Sequence, residues 1–247
     1  MTELQHEHSG SNAETSSCID IARQLGDTVA RLQFSSPSHV YNPLQYAWPA
    51  HEQYLQRYGM VSGRVLLVGM NPGPWGMAQT GVPFGDVIMA RDWLGIEAPL
   101  QPPLPEQHSK YPIAGFACTR REGSGRRLWG WAEQRFGTPE QFFERFFVWN
   151  YCPLLFIGNG RNLVPGKLKQ DERKPLLAAC NKALEQLLQL SRPAAVVGIG
   201  RWAQSRAREA AGEHYPVSYL HHPSPANPAA NRNWPEMAAQ ALAPWLE

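Results

Sequence analysis

Four short runs of apolar, mostly β-branched or aromatic residues constrain this chain more than anything else in it. They are Arg64-Val-Leu-Leu-Val-Gly69, Phe146-Phe-Val-Trp149, Ala194-Ala-Val-Val-Gly-Ile199 and Val217-Ser-Tyr-Leu220. Each is of strand length and ends in a polar or Gly/Pro-rich stretch. Helical periodicity fills the intervals, over Asp86–Trp93, Gly125–Phe136, Glu172–Leu190 and Arg201–Ala211. A closing helix is predicted from Trp234 to Ala243, before Pro244. Strands that are apolar throughout, alternating with helices, predict an α/β fold: a central, mostly parallel four-stranded sheet with helices on both faces. Ligands of such sheets bind beyond the carboxyl ends of the strands. Three of those ends lead into Asn71, Asn150 and His222.

Upstream of the first strand, Pro49–Tyr58 reads as a helix with Pro near its start and Gly59 past its end. Ile21, Leu25, Val29 and Leu32 recur at helical spacing behind a Ser16 or Ser17 cap. Residues 1–15 are polar and aperiodic, so a disordered tail is expected there, followed by one domain over 16–247. No internal repeat is visible.

Composition matters mainly for what it excludes. A net charge of +2 means that any nucleic-acid surface must be a local patch. Arg120–Arg121, Arg126–Arg127 and Arg201 with Arg206 and Arg208 are the arginine clusters; a solvated helix face is the competing reading of each. The cysteines Cys18, Cys118, Cys152 and Cys180 form no CxxC pair, so no metal site is expected, and buried free thiols are. No apolar run approaches the ~20 residues that a membrane-spanning helix needs. These features and the lack of a signal peptide lead to the expectation of a soluble, intracellular monomer, cytoplasmic with the nucleoid in a bacterium or nuclear in a eukaryote.

The first strand runs into Gly69-Met-Asn-Pro-Gly-Pro-Trp-Gly-Met-Ala-Gln-Thr-Gly-Val-Pro-Phe-Gly85. The last runs into His222-Pro-Ser-Pro-Ala-Asn-Pro. Together with Ser124-Gly125 before Trp129, Asn150-Tyr-Cys-Pro-Leu154 and Gly160-Arg-Asn-Leu163, these segments resemble the uracil-DNA glycosylase superfamily. Within it the chain resembles the single-strand-selective monofunctional enzymes, from about Tyr41 to Trp234. The order and the strand-end placement of the motifs carry the resemblance better than any one of them.

The resemblance implies hydrolysis of the bond between uracil and deoxyribose in single- or double-stranded DNA. It implies no cofactor and no metal. Asn71 would position the attacking water, with turn capping as its alternative role. His222, which directly precedes Pro-Ser-Pro as His221 does not, would donate a hydrogen bond to the departing base; a turn histidine bonded to backbone is the alternative. Asn150 carries a donor and an acceptor that match the pairing edge of uracil, where cytosine would leave buried groups unpaired. It could also be an ordinary loop asparagine. Phe84 would stack on the base or merely pack in the core. Gly73 would leave the C5 edge open to substituents such as that of 5-hydroxymethyluracil, with Met77 lining the same edge; a turn requirement is a compatible reason for this glycine.

Pro223, Ser224, Pro225 and Ala226 are expected to form the wedge that enters the DNA stack. Ala226 departs from the related vertebrate sequences, which carry Arg there, so a weaker wedge and a preference for single strands are expected. Ser124 and Gly125, opening a helix, could hold a phosphate or simply cap the helix. No lysine falls in these segments, which disfavours a Schiff-base lyase step. Two other readings stay open: a superfamily glycosylase acting on hypoxanthine or xanthine, and a lesion-binding module without catalysis. A Rossmann nucleotide site is disfavoured, because GxGxxG is absent and prolines interrupt the loop after the first strand.

Overall fold

The protein is seen in a computed structural model that describes residues 3–59 and 61–246, with side chains from Ser17 onward. In chain order the main elements are α1 (Glu3–Ala30), β1 (His39–Tyr41), α2 (Pro43–Tyr46), α3 (Trp48–Tyr58), β2 (Val65–Gly69), α4 (Met77–Thr80), α5 (Gly123–Phe136), α6 (Pro139–Phe143), β3 (Phe146–Asn150), β4 (Leu155–Gly158), β5 (Arg161–Leu163), α7 (Gln170–Ser191), β6 (Ala195–Ile199), α8 (Arg201–Ala211), β7 (Val217–Leu220) and α9 (Pro228–Leu242).

The expected sheet is present, in the order β3-β2-β6-β7 with every pair parallel. Every residue of β2, β3 and β6 is buried. Alternate residues of a strand point to opposite faces, so both faces of the sheet are covered. Only β7, at the sheet edge, is partly exposed. The chain leaves β2 for β3 on one side and later returns to β6 on the other. Strand order therefore reverses about β2, and the crevice at such a switch point is where α/β folds place ligands.

A second sheet, β1-β4-β5, is antiparallel and was not expected from sequence. Its hairpin turns through Asn159 and Gly160, whose φ values of 51° and 65° are the paired positive dihedrals of a two-residue type I′ turn. The Asn-Gly dipeptide is the sequence signal for that turn. The strands on either side of it are too short to announce themselves by alternation.

Helix ends differ from expectation for local reasons. The helix expected over Asp86–Trp93 forms from Val87 and winds into a π-helical turn over Met89–Trp93. Asp86 caps it, its C=O accepting from Ala90 N–H (2.8 Å) and its side chain from Met89 N–H (3.4 Å). The last helix starts six residues before Trp234: Asn227 caps it through Ala229 N–H, and Pro228 occupies the first turn. It kinks at Asn233 (φ −161°, ψ 70°), two residues ahead of Pro235. The backbone of α1 extends upstream of Ser16 to Glu3. The side chains of the stretch expected to be a disordered tail lie outside the described residues.

Candidate active site

The carboxyl ends of β2 and β3 build the floor of one cavity of about 330 Å³. Pairing of the two strands continues past their ends: Tyr151 N–H donates to Gly69 C=O (3.0 Å) and Cys152 N–H to Met70 C=O (2.9 Å). This brings the loop after Asn150 against the loop that carries Asn71. The Asn71 amide donates to Leu154 C=O (3.1 Å), which fixes its plane. No described residue donates to its Oδ1, so that oxygen is free to accept from a water.

Gly69 explains how Asn150 and Phe84 come so close. A Cβ there would lie 2.3 Å from Asn150 Oδ1 and 2.6 Å from the Phe84 ring, so only glycine admits both. Asn150 is buried and sends Nδ2 to the Met77 sulfur (3.1 Å), a weak acceptor. Its Oδ1 is buried with no partner. A buried acceptor left unpaired costs about 1–3 kcal/mol, and a ligand N–H can relieve that cost.

Phe84 sits at φ 54°, a left-handed conformation rare for a bulky residue. Two contacts hold it there. Asp86 N–H donates to Phe84 C=O (2.8 Å). Gly125, at the start of α5, lies so close that a Cβ on it would be 1.9 Å from the same carbonyl oxygen. The ring comes within 5.9 Å of the His222 ring, at 43°.

His222 follows β7 and forms part of the cavity wall. Its Nδ1 accepts from Ser224 N–H (3.1 Å), so in the neutral ring the proton resides on Nε2. Burial lowers its pKa to about 4, so the ring is neutral near pH 7. His221 turns to Tyr219 OH (3.1 Å) and does not line the cavity.

The cavity gathers Asn71, Gly73, Met77, Phe84, Asn150 and His222, all six residues expected for catalysis and base recognition. Other expectations need correction. Gly73 does not leave empty room: a Cβ there would be 2.3 Å from the Glu122 carboxylate, which fills the space. Ser124 lines the cavity, but its N–H is already used by Glu122 Oε1 (3.3 Å). Gly125 is buried against Phe84, so Ser124–Gly125 is a capped, packed helix start rather than an open phosphate cradle. Pro223 is buried and anchors its loop, whereas Pro225 and Ala226 are exposed at the tip.

That loop is braced from two sides. Arg127 donates to Pro223 C=O (3.0 Å) and Asn231 Oδ1 (3.1 Å), and Asn231 donates to Pro225 C=O (2.7 Å). Several other arginines of the sequence clusters also have intramolecular partners. Arg121 pairs with buried Asp86, Arg206 with Glu209, and Arg201 lies over the Tyr219 ring. Arg120 packs on Trp75, with its guanidinium 4.4 Å from the ring centre.

The chain matches the model of the uracil DNA glycosylase superfamily over residues 56–245. The chain belongs to this superfamily. It is 46% identical over 224 residues to the single-strand selective monofunctional uracil DNA glycosylase of Bos taurus, covering 89% of this chain and 82% of that one. The Mus musculus protein of the same name is equally similar, with 80% of its length covered. A solved structure of wild-type Pedobacter heparinus SMUG2 shares the fold, with a TM-score of 0.61 at 16% identity over 91% of this chain and 97% of that one.

Sequence reasoning missed Glu122, Asn162 and Val164 as cavity residues. The latter two arrive through the unexpected hairpin, which Asn159-Gly160 could have signalled. Glu122 is the N-cap of α5, a role that an acidic residue just ahead of a predicted helix start can suggest.

Proposed function

We propose that this protein is a monofunctional DNA glycosylase that hydrolyses the N-glycosidic bond of uracil in single- or double-stranded DNA. The base is turned out of the strand into the cavity between β2, β3 and the His222 loop. C5-modified uracils, 5-hydroxymethyluracil among them, are proposed as further substrates. The names and identity of the mammalian relatives support this reading. The observation that carries it is the meeting of Asn71, Asn150 and His222 around one cavity, each with a free polar atom of the required kind.

The chemistry follows from those atoms. As the bond from C1′ to N1 lengthens, positive charge grows on the sugar and negative charge on the base, at O2 among other atoms. The neutral His222 donates from Nε2 to O2, a contact that strengthens as charge develops. Asn71 Oδ1 accepts from a water and directs its oxygen to C1′. Hydroxide equivalent remains on the sugar and the proton goes to the released base. Asn150 Oδ1 takes N3–H and Nδ2 reaches O4, a pattern that cytosine reverses in part. Phe84 stacks on the ring, a contact worth ~1–3 kcal/mol. No lysine lines the cavity among the described residues, in keeping with simple hydrolysis.

The test is a panel of oligonucleotides carrying uracil, 5-hydroxymethyluracil, hypoxanthine, xanthine or thymine, single-stranded and paired. Abasic sites should appear with uracil first. Tight binding to uracil-DNA without abasic sites would overturn catalysis, and cleavage confined to the purines would overturn the base assignment.

A further inference from the structure

Glu122 and His222 are the titratable side chains that line the cavity among the described residues, and the reaction just described does not use Glu122. Its place is closely fixed. Arg121 grips the fully buried Asp86 carboxylate through Nε (2.9 Å) and Nη2 (2.8 Å), and Glu122 N–H donates to the same group (2.9 Å). The side chain then crosses two glycines. A Cβ on Gly73 would lie 2.3 Å from Glu122 Oε2, and one on Gly76 would lie 2.8 Å from its Cγ. Glycine at both positions is what lets a carboxylate reach the cavity wall.

The carboxylate accepts a hydrogen bond from Ser124 N–H (3.3 Å) at Oε1. An ionised carboxylate has about four acceptor positions, so capacity remains for a donor in the cavity. Burial raises the carboxyl pKa, the sign of a group short of solvent.

The orientation of a bound pyrimidine follows from the other walls. With O2 on His222 and N3–H and O4 on Asn150, the next ring position is C5. Met77, bonded to Asn150, and Gly73 form the wall that follows Asn150, and Glu122 lies over Gly73. We infer that Glu122 determines specificity at C5, by accepting a hydrogen bond from a hydroxyl-bearing substituent and disfavouring a methyl group in the same place. A methyl would exclude water from the carboxylate and offer no donor in exchange. This inference rests on reading the cavity as a uracil pocket.

Single-turnover excision of uracil, 5-hydroxymethyluracil and thymine should be measured in wild type, Glu122→Gln and Glu122→Ala. Glu122→Gln keeps the length of the side chain and a cap acceptor. The expected result is a fall of about tenfold in the rate ratio of 5-hydroxymethyluracil to uracil in Glu122→Ala, with a smaller fall in Glu122→Gln and a rise in thymine relative to uracil. An unchanged ratio in either variant with a wild-type circular dichroism spectrum would overturn the role of Glu122. Wild type that removes uracil but leaves 5-hydroxymethyluracil would overturn it too, while leaving the uracil reading intact. Failure on uracil itself would sink the pocket reading.

Discussion

The two sides of the cavity are built by different means. On one side, Asn71 and Asn150 stand at the ends of neighbouring parallel strands, and backbone pairing carried past Gly69 fixes their spacing. On the other, His222 and Pro223–Ala226 leave an edge strand and are held by side chains from elsewhere, chiefly Arg127 and Asn231. The first side inherits the rigidity of the sheet. The second depends on a few polar bonds, each worth about a kilocalorie or somewhat more. The groups proposed to recognise one edge of a base sit on the rigid side, and the segment proposed to enter DNA sits on the braced loop.

Substitutions can break or sharpen that contrast. Asn71→Ala should have the largest effect, a loss on the order of 10²–10³ in single-turnover rate with the melting temperature nearly unchanged. A rate near wild type would remove Asn71 from the reaction. Gly125→Ala should come next and act through stability. Its Cβ would stand 1.9 Å from Phe84 C=O, so the helix start or Phe84 must move. A loss of roughly 1–3 kcal/mol in denaturant unfolding is expected, with weaker binding of the base. Unchanged stability would show that α5 can shift freely.

Arg127→Ala tests the braced side alone. A drop of roughly tenfold in excision from duplex DNA is expected, with a smaller drop on single strands and little change in unfolding. Equal loss on both substrates would mean that the brace positions His222 rather than the loop tip. The smallest effect should come from moderate acid. His222 protonates only near pH 4, so kcat/KM of the folded enzyme should stay flat from pH 8 to about pH 5. Stability behaves differently. In the unfolded chain this histidine takes its proton near its ordinary value of 6.5, and in the native state only near 4. Its contribution is whole above pH 6.5 and is lost as pH falls from there towards 4. His51, also buried and shifted to about 4, adds to the same slope. Thermal unfolding between pH 7 and pH 5 would detect it, and His222→Gln should flatten part of it.

Much of this could be read from the chain. Val65–Gly69 and Ala195–Ile199 are apolar at every position that must face a helix layer, so the pattern itself demands a sheet covered on both sides. The ends of those strands lead by sequence alone to Asn71, Asn150 and His222. Less legible was whatever depends on approach between distant segments. Gly73 reads as open space until Glu122, 49 positions later, is seen to occupy it. Ser124 and Gly125 read equally as an anion cradle or a helix cap, and only the carboxylate and the Phe84 carbonyl found against them decide for the cap.

Sequence alone determined the four strands of the parallel sheet, their alternation with helices and the residue types at the carboxyl rim, because these follow from short-range hydrophobic pattern and turn chemistry. Tertiary structure decided which of two adjacent histidines faces the cavity, why Phe84 tolerates a positive φ, and that a glutamate shares the pocket. Those outcomes depend on contacts between residues far apart in the chain, and local pattern carries no record of such contacts.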